Sequence, residues 1–286
     1  MVTVASGESL KEKIDSAVAG FSGSISIFAK NLETGATFGF HGDDRTRTAS
    51  TIKVAILAAA FAAVAEGKIK WTDRITLHDT DKVSGSGVLG AEFADGDQLP
   101  LSDLAHLMIV LSDNTATNLI LDRVGADYVN AQMDQLGLKQ IRSMRKIRGD
   151  GANLKDAEGF SAAGRDPANA RFGIGSSTPR EMVALLEKIE HGEVVSPAAS
   201  REMLNIMKRQ QDRNGIPRRL GQMPIANKSG ALDHLRSDVG IVYSPGGRIA
   251  MAITCEDIPQ VDWSSDNPGL LLIANVARIL TDGLSR

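Results

Sequence analysis

Apolar residues recur at three- and four-residue spacing over positions 8–20 (Leu10, Ile14, Ala17, Val18), which predicts an amphipathic helix. The pattern then switches to alternation. Ser24–Lys30 and Ala36–Phe40 flank Glu33-Thr34-Gly35 and predict a β-hairpin. From Thr48 to about Lys188 helical spacing dominates, over 50–66, 102–111, 115–123, 126–136 and 179–190. Ser102 and Thr178 are the expected caps, with Pro179 in a first turn. A further helix is predicted over 197–209. Strand patterns return at Ile225–Ala231, Val239–Tyr243 and Ile249–Cys255, the last two joined by a Pro245-Gly246-Gly247 turn, and 267–283 closes the chain as a helix.

Strands at both ends with helices between them predict an α+β fold, an α/β sandwich plus an all-α domain. Five strands would form one antiparallel sheet flanked by the terminal helices. The expected division is 1–46 with 200–286 for the sheet domain and 47–199 for the helical domain, with a site in the cleft between them. Residues 150–177 form a long Gly/Ala/Ser-rich connection, a length associated with function or disorder.

Composition narrows the function classes. The 286 residues suffice for two modest domains or one large one. A net charge of −3 argues against nucleic acid or an anionic membrane as partner. The longest apolar run, Val54–Ala65, is too short to span a bilayer. A single cysteine, Cys255, excludes an internal disulfide and reads as a buried strand residue. Glu8, Lys11, Glu12, Lys13 and Asp15 do not fit a signal peptide. The histidines (His41, His78, His106, His191, His234) lack metal-ligand spacing and no Gly-rich phosphate loop follows a strand, so neither a metal nor another cofactor is expected.

The one chemical anomaly in the apolar pattern is TASTIKVAILAAAFAAVAEG at 48–67. Lys53 enters a core helix one turn after Ser50. Either Ser50 or Thr48 caps the helix while Lys53 snorkels to water, or Ser50 and Lys53 are a nucleophile and its base. Ser-x-x-Lys alone is weak, and Ser143-Met144-Arg145-Lys146 is a second match, read as chance. Ser112-Asp113-Asn114 falls between two predicted helices, where Asp113 or Ser112 also suits a cap. Lys228-Ser229-Gly230 opens the C-terminal strands, where a lysine could equally protect a sheet edge.

The ordered set Ser-x-x-Lys, Ser-Asp-Asn, Lys-Ser-Gly resembles the penicillin-recognising serine hydrolases, specifically class A β-lactamases and their penicillin-binding relatives. The resemblance implies Ser50 as nucleophile, Lys53 as base, Ser112 as proton relay and Lys228 as the cation that depresses Lys53 and draws in a substrate carboxylate. It also implies that Asn114, Ser229, Gly230 and Ala231 bind substrate, with the N–H groups of Ser50 and Ala231 as an oxyanion hole. Arg236 is expected either to hold the substrate carboxylate through a bidentate fork or to be an exposed hairpin arginine. The segment 83–87 (Val-Ser-Gly-Ser-Gly) walls the cleft or is a flexible turn.

One family element is missing. The water-activating glutamate falls on Ile147 and its asparagine partner on Gly151. Asp150, Asp156, Glu158 or Asp166 could replace the acid, or each is simply solvated. The implied activity is β-lactam acylation with weak deacylation. The alternatives are a D-Ala-D-Ala carboxypeptidase or small-ester hydrolase, and a binding sensor that acylates once. A small-molecule substrate, a monomer and a periplasmic or secreted location are expected.

Overall fold

The computed structural model describes residues 8–151 and 154–285. Residues 1–7, which precede the charged positions read above against a signal peptide, lie outside the described residues. In chain order the elements are α1 (Leu10–Val18), β1 (Ser24–Asn31), β2 (Thr37–Phe40), β3 (Thr46–Arg47), a 3-10 turn (Ala49–Ile52), α2 (Lys53–Ala65), β4 (Arg74–Thr76), α3 (Leu89–Glu92), β5 (Gln98–Pro100), α4 (Leu101–Val110), α5 (Asn114–Val124), α6 (Ala126–Gln135) and β6 (Arg142–Ser143). They continue with α7 (Ala162–Arg165), a 3-10 turn (Pro167–Phe172), β7 (Gly175–Ser177), α8 (Pro179–Glu190), α9 (Pro197–Met207), a 3-10 turn (Ile216–Arg219), β8 (Ile225–Leu232), β9 (Leu235–Ser244), β10 (Gly247–Glu256) and α10 (Pro268–Leu284).

The main sheet runs β2-β1-β10-β9-β8, antiparallel throughout, so both ends of the chain meet at β1 and β10. Period-two alternation sorts its side chains between two cores. Ile249, Met251, Ile253 and Cys255 of β10 face α1 and α10, packing on Ile14, Ile273 and Val276. Ala250 and Ala252 face the other way, into the larger core shared with α2, α8 and α9. Each fully buried Ile or Val side chain contributes ~1.5–3 kcal/mol, and truncating Ile253 to Ala would forfeit ~2–5 kcal/mol.

Helix α2 is enclosed on every side, with all residues from Lys53 to Ala63 buried. Its alanines let neighbouring helices approach closely, and Phe61 meets Trp71 edge-on at 4.7 Å. A helix apolar all round belongs in a core, which makes Lys53 the exception to explain.

Several local expectations change. Neither Thr48 nor Ser50 caps α2 with its side chain; a 3-10 turn leads into the helix instead. Ser102 is not a cap, because α4 begins a residue earlier at Leu101. Thr178 does cap α8, accepting from Glu181 N with Pro179 in the first turn. The connection 150–177 contains α7, a 3-10 turn and β7, and β7 pairs with β3 and β6 in a small second sheet. Strands of two or three residues leave too little periodicity to be read from sequence. Helix α8, assigned above to the helical half, packs on β1 and β10 of the main sheet.

Candidate active site

Ser50 sits in the 3-10 turn ahead of α2 and lines a cleft of about 910 Å³ together with Ser112, Asn114 and the β8 residues Ser229, Gly230 and Ala231. The backbone is strained beside two of these hydroxyls. Ala49 has φ 45° and Ser112 φ 56°, left-handed values that non-glycine residues seldom adopt. Ser112 occupies the bend between α4 and α5, so its side chain is aimed by a backbone conformation that neither helix could supply.

The bend is anchored by Asp113. One carboxylate oxygen caps α5 at Ala116 N (2.8 Å), and the other accepts from Val88 N (2.7 Å) and Leu89 N (2.9 Å). Gly87 has φ +116° and an added Cβ would lie 2.3 Å from Asp113 Oδ2, so only glycine permits this approach. Asn114 N donates to Ser86 O at 2.9 Å and Asn114 Nδ2 to Ser84 O at 3.0 Å. The 83–87 segment is therefore a held wall of the cleft, not a flexible turn.

Lys53 is 0% exposed. Its Nζ donates to Ser112 O (2.7 Å), Ser112 Oγ (3.2 Å) and Asn114 Oδ1 (3.0 Å). None of these bonds goes to Ser50, so the motif's direct serine–lysine pairing is replaced by contacts to the second motif. Burial holds the amine well below its ordinary pKa, and the Lys228 cation lowers it further, against a smaller opposing pull from Asp113.

Lys228 is also fully buried and donates to Ser229 O at 2.7 Å. It is not a solvated edge lysine. Burial lowers its pKa to about 8, against the pull of Asp238 and Asp212. Asp238 lies behind it, 0% exposed, accepting from Asn227 Nδ2 at 3.0 Å and Ile216 N at 2.8 Å. Burial raises this carboxyl to about 7.

Strand β8 forms the sheet edge and lies directly on the Ser50 turn. Gly230 makes this possible. A Cβ there would stand 2.9 Å from Thr48 O and 3.0 Å from Ser50 N. An edge strand leaves alternate N–H groups without a ladder partner, the type of donor an oxyanion requires.

Arg236 does not line the cleft. It is 2% exposed, with Nη1 on Leu232 O (2.5 Å) and Leu235 O (2.6 Å) and Nη2 on Asp262 O. Its guanidinium stacks on Trp263 at 4.7 Å. Both expectations for it, a free fork and an exposed hairpin residue, are corrected: backbone carbonyls of its own hairpin and of the loop after β10 absorb the donors.

Ile147 does line the cleft. Its N–H and carbonyl are clamped by Asn118, Oδ1 to Ile147 N and Nδ2 to Ile147 O, both at 2.8 Å. The sequence reading missed Asn118, although it stands four residues after Asn114 on the same face of α5. Of the candidate replacement acids, Asp150 lines the cleft, whereas Asp156, Glu158 and Asp166 do not. Ser143 is buried in β6 and Lys146 pairs with Asp122 at 2.8 Å, so the second Ser-x-x-Lys contributes no site.

An antiparallel five-stranded sheet, a buried helix carrying Ser50 at its entrance and a cleft between them define a serine hydrolase of the β-lactamase and penicillin-binding type. The chain belongs to the Beta-lactamase enzyme family, which it matches over residues 9–284. It is similar to a β-lactamase from Sphaerobacter thermophilus, at 29% identity over 98% of each chain with a TM-score of 0.82. It is also similar to PBP-A, at 30% identity over 96% of this chain and 94% of the other, TM-score 0.78. A leucine-to-glutamate mutant of PBP-A in an acyl-enzyme complex with penicillin G gives 29% identity over 96% and 94% of the chains and the same TM-score.

Proposed function

We propose that the protein is acylated at Ser50 by β-lactams or related D-Ala-D-Ala-type amides and releases the acyl group slowly. Neutral Lys53 takes the Ser50 hydroxyl proton, directly or through Ser112 Oγ, as Ser50 Oγ bonds to the carbonyl carbon. The oxyanion is met by the N–H groups of Ser50 and Ala231, a contribution of ~3–4 kcal/mol. Collapse breaks the carbon–nitrogen bond, and Ser112 passes a proton to the leaving nitrogen. Protonated Lys228 with Ser229 attracts the substrate carboxylate, while Asn114 holds Lys53 and the substrate amide.

The observation that carries this reading is the burial of two lysines, Lys53 and Lys228, near enough that the second lowers the pKa of the first, beside a cleft lined by Ser50 and Ser112. Slow release rests on Ile147, which has no atom able to take a proton from water. That a PBP-A mutant forms an acyl-enzyme with penicillin G supports acylation by a β-lactam on this scaffold.

A D-Ala-D-Ala carboxypeptidase or ester hydrolase uses the same groups, and a non-turnover sensor differs only in the release rate. We further propose two structural units as divided above, with α8 at their seam, a monomer without nucleic-acid partners, and a periplasmic or secreted location. Among the described residues no helix is long and apolar enough to cross a membrane. A role in antibiotic resistance requires release fast enough for turnover.

Intact-mass measurement over time after adding penicillin tests the proposal. A transient adduct supports the lactamase and a permanent one the sensor. Cleavage of D-Ala-D-Ala peptide or ester with no adduct supports the alternative enzymes. An adduct that persists in Ser50→Ala would remove the assignment.

A further inference from the structure

The part of the cleft wall built from 145–151 and 171–174 includes three arginines, Arg145, Arg148 and Arg171. Among the described residues, none of the three has a carboxylate at salt-bridge distance. Lys146, between the first two, differs: it pairs with Asp122 at 2.8 Å and Glu158 at 3.6 Å. The arginine donors are largely unspent. Arg145 gives Nη1 to Lys146 O at 2.9 Å and Arg148 gives Nε to Lys155 O at 2.6 Å, whereas a guanidinium offers five N–H bonds. Arg171 lies over the Phe172 ring at 4.4 Å, and Arg45 lies over the same ring at 4.3 Å.

These charges work against each other. Arg145 is held below its ordinary pKa by burial and then by Arg148. The acids that reach the same cleft are Asp150 on this loop, Asp212 after α9, and Asp233 beyond β8. None forms an ion pair with the three arginines. Beyond the carbonyl bonds of Arg145 and Arg148 and the Phe172 contact of Arg171, this run of unneutralised cations along one cleft wall raises the local concentration of anions. Guanidinium forks are suited to carboxylates in particular.

We infer that Arg145 and Arg148, extended by Arg171, form an anion subsite for the acyl portion of the substrate. The enzyme then favours β-lactams or amides whose acyl side chain carries a second carboxylate. This rests on the acylation reading above, in which Lys228 and Ser229 take the carboxylate on the leaving side and the acyl side chain reaches the other walls. The two carboxylates then occupy separate cationic regions, and Ile147 lies in the chain between two of the arginines.

Carbenicillin and benzylpenicillin differ by one carboxylate on the acyl side chain and provide the test. Their acylation rates are measured by intact mass for the native chain, Arg148→Gln, Arg148→Lys and the Arg145→Gln/Arg148→Gln double variant. The ratio of carbenicillin to benzylpenicillin rates should fall roughly tenfold in the double variant and several-fold in Arg148→Gln. Arg148→Lys keeps the charge but loses both the fork and the Nε bond to Lys155, so its preference should fall between those of the native chain and Arg148→Gln. An unchanged ratio in the double variant overturns the subsite.

Raising salt from about 0.02 to about 0.5 M should lower the same ratio in the native chain without any mutation. A salt-independent ratio also overturns the proposal. If neither penicillin forms an adduct, the acylation reading fails by itself. The subsite is then decided by titrating phenylmalonic acid monoamide against phenylacetamide, with NMR line-broadening as readout. Preferential binding of the anion by the native chain, lost in the double variant, supports the subsite, and equal binding overturns it.

Discussion

The Lys53 Nζ atom lies 2.7 Å from the carbonyl oxygen of Ser112, a residue 59 positions further along the chain, so the core helix and the α4–α5 bend share one buried amine. Its three acceptors, Ser112 O, Ser112 Oγ and Asn114 Oδ1, match the three donors of an ammonium. Once neutral, the amine keeps two donors and gains a lone pair, which only a hydroxyl can satisfy. Replacing Lys53 by Met should therefore reduce acylation by ~10²–10⁴-fold. Stopped-flow or intact-mass kinetics with the folded variant checks this; near-native acylation would show that another group takes the proton.

The pH profile follows from the two lysines. Acylation should rise with pH as the depressed Lys53 loses its proton, then fall above about 8 as Lys228 loses the charge that attracts a carboxylate. The stability sign is separate. Lys228 binds its proton more weakly folded, at about 8, than at the ordinary 10.5, so the penalty of burying it is full below about 8 and is relieved as pH rises between these values. Rates measured from pH 5 to pH 10 test the first statement. A flat upper limb would separate Lys228 from substrate attraction.

Ile147→Glu should speed acyl release at least tenfold, because a carboxylate at this cleft position could take a proton from the attacking water. The Asn118 clamp on the Ile147 backbone should keep the new side chain in place. The decay of the mass adduct is the measurement. An unchanged decay would mean that position 147 does not face the ester.

Gly230→Ala should slow acylation while the sheet still forms. The added methyl would meet Thr48 O at 2.9 Å and Ser50 N at 3.0 Å. Overpacking of this kind costs ~1–3 kcal/mol, and part of it would fall on the Ser50 N–H proposed for the oxyanion. Thermal melts alongside acylation rates check it. A loss of stability without a loss of rate would place the strain away from the site.

The sequence by itself determined the five strands, the long helices and the cap at Thr178, because burial on one or two faces writes a period that survives in a single chain. At α5 it left Asp113 or Ser112 open, and at α4 it pointed to Ser102, which is no cap. It also marked Ser50, Lys53, Ser112, Asn114, Lys228 and Gly230 through three short motifs. The small sheet of β3, β6 and β7 was illegible, since strands this short have no period to read. Tertiary structure alone decided which acceptors surround Lys53, why 83–87 is held, and that Arg236 turns into its own hairpin. It also set the Asn118 clamp and the arginine-lined wall. These depend on groups far apart in the chain meeting where water is excluded, and a charge's energy there is set by those neighbours and by burial, neither of which a linear sequence records.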